Sequence, residues 1–216
     1  MAVKACVTIE VTVMGPIENN VYIISDGAST LVVDPTQDAP YIMKLLGERK
    51  LDAIVLTHFH WDHVGGAKEL RELSGAPVFA SAVDAPIIDG RTPLGPGHIE
   101  FDLCPVDQEV VDGDTVEIGA MKWQVIATPG HTPGSMCLLL DPRYGSDPQG
   151  APVLIAGDTL FAGAHGRTDF EGGDPIDMRR SLQKLSALPS ETLVLTGHNN
   201  LTTIGRESSW LVHGGF

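Results

Sequence analysis

The stretch Thr57-His58-Phe59-His60-Trp61-Asp62-His63 sets four ligand-capable side chains within six positions, directly after the apolar run 53–56. Imidazole and carboxylate donors suit divalent ions such as zinc, iron and manganese. In an extended turn His58 and His60 point to one side, while Asp62 and His63, at the start of a following helix, address a neighbouring point. That spacing suits two close metal ions. Three further candidates stand where apolar runs end: His131 in Thr128-Pro129-Gly130-His131, Asp158 in Ala156-Gly157-Asp158-Thr159, and His198 in Thr196-Gly197-His198-Asn199. Each has glycine beside it, which permits tight turns and close approach to a buried ion. An isolated loop histidine more often serves packing or hydrogen bonding. Seven donors in matching contexts point instead to a metal centre.

The elements that must position these residues are short. Period-two or compact apolar runs predict strands at 6–13, 21–25, 30–33, 53–56, 77–80, 115–118, 122–126, 135–140, 152–155 and 192–195. Helical spacing falls at 39–47, 63–73, 82–88, 175–187 and 204–211, with Asp174 placed to cap and Pro175 at the first turn of the fourth. Residues 89–97 and 141–151 read as surface loops, and neither separates two self-sufficient cores. With 24 glycines and 15 prolines, the chain favours many short elements on structured loops. Two sheets packed face to face, with helices outside, is the simplest layering. A single domain over 1–216 is expected.

Composition narrows the partners. A formal charge of -14 opposes binding to nucleic-acid backbones and anionic membranes. Cys6, Cys104 and Cys137 are odd in number and lack CxxC spacing, so they suggest no disulfide framework or zinc knuckle and are expected to be buried or incidental. No apolar run approaches a membrane span and the N-terminus lacks a signal-like core, so a cytoplasmic protein is expected. Oligomeric state is left open.

Further motifs accompany the ligand candidates: Gly15-Pro16, Asn19 through Ile24, Asp34-Pro35, Thr128 through Ser135, Gly157 through Phe161, Gly166 through Phe170 and Thr202 through Glu207. Together they resemble the metallo-beta-lactamase superfamily across nearly the whole chain, most closely its short glyoxalase II-like branch. The resemblance implies an α+β fold, a four-layer alpha-beta/beta-alpha sandwich with metals at one rim. Carried over residue by residue, His58, His60 and His131 bind a first metal and Asp62, His63 and His198 a second, with Asp158 bridging; Asp62 and Asp158 are the catalytic carboxylates. Two divalent ions are implied, with zinc expected and iron or manganese compatible with the same donors. The flavodiiron branch has an acidic residue where this chain has His60, so hydrolysis is favoured over that redox chemistry.

The implied reaction is attack of an activated water on an acyl thioester such as a hydroxyacylglutathione. Arg167 is a candidate receptor for a substrate carboxylate, with His165 and Trp61 as further candidates for substrate contact; Trp61, Phe161, Phe170 and Tyr144 either line a pocket or pack. His98 and His213 fall outside the motifs. Two departures bear on substrate: only 18 residues follow His198, where glyoxalase II proteins carry a helical domain that helps bind glutathione, and His198-Asn199-Asn200 replaces the common His-Gly-Pro. Other readings are a persulfide dioxygenase with one iron on His58, His131 and Asp158, a lactone or other ester hydrolase, a nuclease, and a metal-binding protein without turnover. Net acidity argues against the nuclease.

Overall fold

The computed structural model describes residues 5–214. In chain order its elements are β1 Ala5–Cys6, β2 Thr8–Met14, β3 Asn19–Ser25, β4 Thr30–Val33, α1 Ala39–Leu46, β5 Ala53–Val55, α2 Trp61–Val64, α3 Ala67–Ser74, β6 Val78–Ser81, α4 Ala85–Ile88 and β7 Gln108–Val110. The second half holds β8 Thr115–Ile118, β9 Met121–Ala127, β10 Met136–Leu140, β11 Gly145–Ser146, β12 Val153–Gly157, β13 Leu160–Phe161, β14 Ala164–His165, α5 Pro175–Leu185, β15 Leu193–Thr196, β16 Thr202–Thr203 and α6 Ile204–Leu211. Two six-stranded sheets form, ordered β2-β3-β4-β5-β6-β7 and β16-β15-β12-β10-β9-β8.

Alternation along the strands sorts side chains into three apolar layers. In β3, Val21 and Ile23 face α1 and α3 together with Ile42, Leu46 and Leu70. Tyr22 and Ile24 turn the other way and meet Trp123, Leu138 and Ile155 of the second sheet. On that sheet's far side Leu154 and Ala156 pack against Met178, Leu182, Trp210 and Leu211 of α5 and α6. Helix, sheet, sheet, helix is the layering expected from the sequence.

Local chemistry sets the boundaries. Asp174 caps α5 as expected, its carboxylate accepting from the amides of Ile176 and Asp177 at 2.7 and 2.9 Å. The helix expected over 63–73 is instead two helices, α2 and α3, broken at Gly65 and Gly66. A Cβ at Gly65 would sit 2.5 Å from the Thr36 carbonyl oxygen, and one at Gly66 would sit 2.7 Å from that of Pro35. The Gly66 amide donates to the Pro35 carbonyl at 2.7 Å, so backbone contact with the 34–37 loop overrides helical periodicity. The helix expected over 82–88 shortens to α4, because 82–84 form a turn that sends the Asp84 side chain inward. The 141–151 loop contains β11, which pairs in parallel with β1.

The sheet topology assembles a single rim. β4 and β5 run parallel, as do β12 and β15, and β9 and β12 both run antiparallel to β10. The C-terminal ends of β4, β5, β9, β12 and β15 therefore open to the same side. Asp34, His58, His131, Asp158 and His198 all follow those ends. Among the described residues no helix is long and apolar enough to cross a membrane.

Candidate metal centre

The rim is stitched together by the protein's own hydrogen bonds. The Asn20 amide donates to the Gly197 carbonyl at 2.8 Å, the Tyr22 hydroxyl to the Thr196 carbonyl at 2.6 Å, and the Met136 amide to the Thr57 carbonyl at 3.0 Å. These bonds lock the two sheets together where the donor loops emerge.

All seven sequence candidates converge. The cluster divides into His58, His60 and His131; His58, His63 and Asp158; and Asp62, His63 and His198, with the donor atoms of each trio within 4.8 Å of one another. All are buried except His198, which is partly exposed. Gly197 makes room for them, since a Cβ there would lie 2.1 Å from Asp158 Oδ1.

Outer hydrogen bonds fix how four of the imidazoles face. Thr57 Oγ1 donates to Asp34 Oδ2 at 2.7 Å, so it accepts from His58 Nδ1 at 3.0 Å. His63 Nδ1 donates to Asp34 Oδ2 at 2.9 Å, His131 Nδ1 to the Arg167 carbonyl at 2.7 Å, and His198 Nδ1 to the Ile17 carbonyl at 3.2 Å. Carboxylate and carbonyl oxygens only accept, so each of these rings turns Nε2 toward the cluster. His60 instead brings Nδ1 to 2.8 Å from His131 Nε2. His58 Nε2 is buried without a hydrogen-bond partner, and Asp158 Oδ1, 3.3 Å from His63 Nε2, forms no well-aligned bond. Buried polar atoms left unsatisfied are costly, and these converge on a point where a cation would satisfy them. The donor set fits divalent metal.

The two ends of the cluster differ electrostatically. Burial, reinforced by neighbouring imidazoles, holds His58 well below its ordinary range, pushes His60 down to about 3 and lowers His131. Burial also acts on His63, but the Asp158 and Asp34 carboxylates outweigh it and raise the ring well above its ordinary range. His198 is raised to about 9, because hydrogen bonds to Asp158 and Asp62 overcome its burial. Asp62 and Asp158 are held far below the usual carboxylate range: burial opposes ionisation, but contacts from His63 and His198 prevail.

Trp61, His165 and Arg167 line a cavity of about 430 Å³ beside the cluster, together with Ile17, His98, Ile99, Phe161, Phe170 and Asn199. Arg167 is paired through Nε and Nη2 with Asp169 at 2.9 and 2.7 Å, and its guanidinium lies 4.2 Å from the Phe170 ring. Its clearest structural contribution is its backbone carbonyl, the acceptor for His131. Tyr144 is not among the cavity residues; it stacks with Lys122 and Arg143. His98, which the sequence motifs leave aside, lies against Phe59 and His60 at ring-centroid distances of 5.0 and 5.5 Å. Cys104 and Cys137 are buried as expected, whereas Cys6 is exposed. Asn199 adopts φ 61°, a left-handed conformation that asparagine tolerates, and its carbonyl accepts from Asn20 at 2.9 Å. The departure from His-Gly-Pro thus leaves His198 facing the cluster.

Sequence reading passed over three supporting residues. Asn19 donates to Asp62 Oδ2 at 2.8 Å; Asp34 accepts from Thr57 and His63; buried Asp84 accepts from the Phe59 amide at 3.0 Å and the Thr132 hydroxyl at 2.9 Å. Asn19 and Asp34 sit inside resemblance motifs, which was the available signal. Asp84 lies in what reads as a helix.

Known proteins extend the picture. A model of the metallo-beta-lactamase superfamily matches residues 14–198. The chain is 37% identical to a hydroxyacylglutathione hydrolase of Cereibacter sphaeroides, covering 90% of this chain and 68% of that protein. Among solved structures, the B3 metallo-beta-lactamase BLEG-1 matches with a TM-score of 0.78 and 32% identity, over 94% of this chain and 97% of that one. TTHA1623 in a di-iron-bound form matches with a TM-score of 0.75 and 32% identity, over 92% and 96%. With its layers, its rim of histidines and carboxylates and these similarities, the chain belongs to the metallo-beta-lactamase superfamily.

Proposed function

We propose that this protein is a metal-dependent hydrolase of acyl thioesters, with residues 1–216 acting as one catalytic domain. The carrying observation is the convergence of seven buried or half-buried donors, including His58 Nε2, which has no hydrogen-bond partner. His58, His60 and His131 would hold one divalent ion and Asp62, His63 and His198 another, with Asp158 between them. When bound, such a pair lowers the pKa of a coordinated water to ~7 and polarises the carbonyl under attack. Zinc is the proposed metal; the di-iron form of TTHA1623 makes iron the first alternative to test.

The chain's own groups do the rest. Asp34, Ile17 and Arg167 hold His63, His198 and His131 in fixed tautomers, so the donors need little reorganisation. Asp62 and Asp158 are held ionised by their imidazole neighbours, so they would serve to bind cations and to orient a water by accepting its hydrogen bond. Trp61 and Phe161 line the cavity beside the donors.

The relative named hydroxyacylglutathione hydrolase supports a thioester, and this chain spans about two thirds of it. Gly205-Arg206-Glu207 in the C-terminal pattern favours the hydrolase branch over persulfide oxidation, for which His58, His131 and Asp158 would be the iron ligands. Net acidity supports a small-molecule substrate without nucleic-acid or membrane partners, and three free cysteines support the cytoplasm. The test is hydrolysis of S-lactoylglutathione and of S-lactoyl-N-acetylcysteamine by zinc-loaded protein, with sulfite release from glutathione persulfide by the iron-loaded form as control. Thioester cleavage that disappears on chelation supports the reading. Sulfite production without thioester cleavage refutes it.

A further inference from the structure

The cavity wall and the donor cluster differ in polarity, and the difference bears on what enters. Phe170 sits at one end, its ring centroid 5.7 Å from that of His60 and 6.5 Å from that of His131. Phe161 sits at the other, 6.0 Å from His198. An aromatic ring thus flanks each group of donors, and Ile17, Ile99 and Trp61 add further apolar surface to the same cavity. Ile17 and Ile99 are 49% and 57% exposed, so nothing in the fold covers them. Solvent-facing apolar side chains gathered around a cavity mark a binding surface.

Charge agrees with shape. Among the described residues lining the cavity, Arg167 is the one Lys or Arg, and the Nε–Nη2 edge of its guanidinium is paired with Asp169 while its plane lies over Phe170. The chain as a whole carries -14. A glutathione arm brings two carboxylates and one ammonium, and a coenzyme A arm brings several phosphates. Either would place anions against apolar walls whose one Lys or Arg already faces Asp169, which costs free energy that an apolar arm would instead gain from burial.

We infer that this cavity selects acyl thioesters whose thiol arm is uncharged and apolar, in preference to glutathione or coenzyme A. The inference rests on the hydrolase reading for the reacting bond but on the cavity alone for the arm. It separates this chain from the named activity of its glutathione-hydrolysing relative, of which it spans about two thirds.

Two uncleavable thioethers, S-benzyl-N-acetylcysteamine and S-benzylglutathione, separate the arm from the reaction. Their binding to metal-free and zinc-loaded protein is measured by calorimetry, alongside kcat/KM for the corresponding phenylacetyl thioesters. The neutral thioether is expected to bind ~10-fold more tightly in both forms, the scale of one buried apolar contact set against one stranded charge. Substitution Ile99→Lys, at an exposed position, is expected to shift the ratio toward the glutathione compound by ~5-fold, because it supplies the missing cation. Substitution Phe170→Ser is expected to weaken the neutral compound by a similar factor, with circular dichroism confirming the fold. If S-benzylglutathione binds as tightly or more tightly, or if neither thioether binds at millimolar concentration, the inference is overturned. Neutral-arm preference without turnover of any thioester would uphold the inference while sinking the hydrolase reading. Thioester turnover favouring the glutathione arm would do the reverse.

Discussion

His198 and His60 lie at opposite ends of one cluster and are driven in opposite directions, up to about 9 and down to about 3. Metal needs the neutral imidazole, so this divergence sets how each end takes up an ion. His58, His60 and His131 are all lowered and are ready at neutral pH. His63 and His198 are raised and hold protons that a cation must displace. Zinc titration of metal-free protein from pH ~6 to ~9 is therefore expected to give one nearly pH-independent site and a second whose log affinity climbs by ~1 per pH unit for each proton released. Equal slopes at both sites would remove the assignment. Asp34 offers a sharper residue test, because it accepts from the Thr57 amide, the Thr57 hydroxyl and His63 Nδ1 at 2.8, 2.7 and 2.9 Å. Asp34→Ala strands three buried donors and frees the His63 ring, so second-site zinc affinity is expected to fall by ~10–100-fold. Wild-type affinity by calorimetry would show that Asp34 does not orient His63.

At the scale of elements, the site depends on loops that must stay in register with one another, and Asp84 joins two of them. Its carboxylate accepts from the Phe59 amide, between His58 and His60, and from the Thr132 hydroxyl, next to His131. Burial raises that carboxyl to about 6, while bonds from Thr132 and Phe59 work against the rise. A folded-state pKa above the ordinary 3.8 means that folding favours the protonated form, so this contribution to stability is fully present below about 3.8 and is lost as pH rises through about 6. The Tm difference between wild type and Asp84→Asn is expected to move against the wild type across that interval and to level off above it. A difference flat in pH would contradict a buried, proton-binding Asp84.

The same elements show what the sequence could reveal. The seven donors were legible because four share one short motif after β5 and the other three each stand beside a glycine at a strand end, and the Asp174 cap was legible because capping is local. The break at Gly65–Gly66 was not, since helical spacing continues through it and the competing contacts come from Pro35 and Thr36, about thirty positions away. β7 was missed because Gln108 and Glu109 are exposed on an edge strand and carry no apolar alternation. Asp84 reads as a helix residue until the turn at 82–84 points it inward. The cavity roles of His98 and of the Arg167 carbonyl arise from how long loops fold back, which no periodicity encodes.

Over the whole molecule, two sheets share one inter-sheet core and meet at a rim where acids and imidazoles are crowded together. A ligand that binds the folded chain alone stabilises it by mass action, by ~4 kcal/mol at a thousandfold excess over Kd. For a chain of this length that corresponds to ~8–16 °C in Tm. Calorimetric scans with and without a chelator are expected to differ by that much, and coincident scans would argue that the rim takes up no metal. The central claim is tested most directly by kcat/KM for thioester hydrolysis, measured on one preparation as zinc-loaded, chelated and zinc-restored. The expected result is a value of ~10⁴ M⁻¹s⁻¹ or more that falls at least ~100-fold on chelation and returns with zinc. Hydrolysis untouched by chelation, or none with two zinc ions bound, would contradict the account.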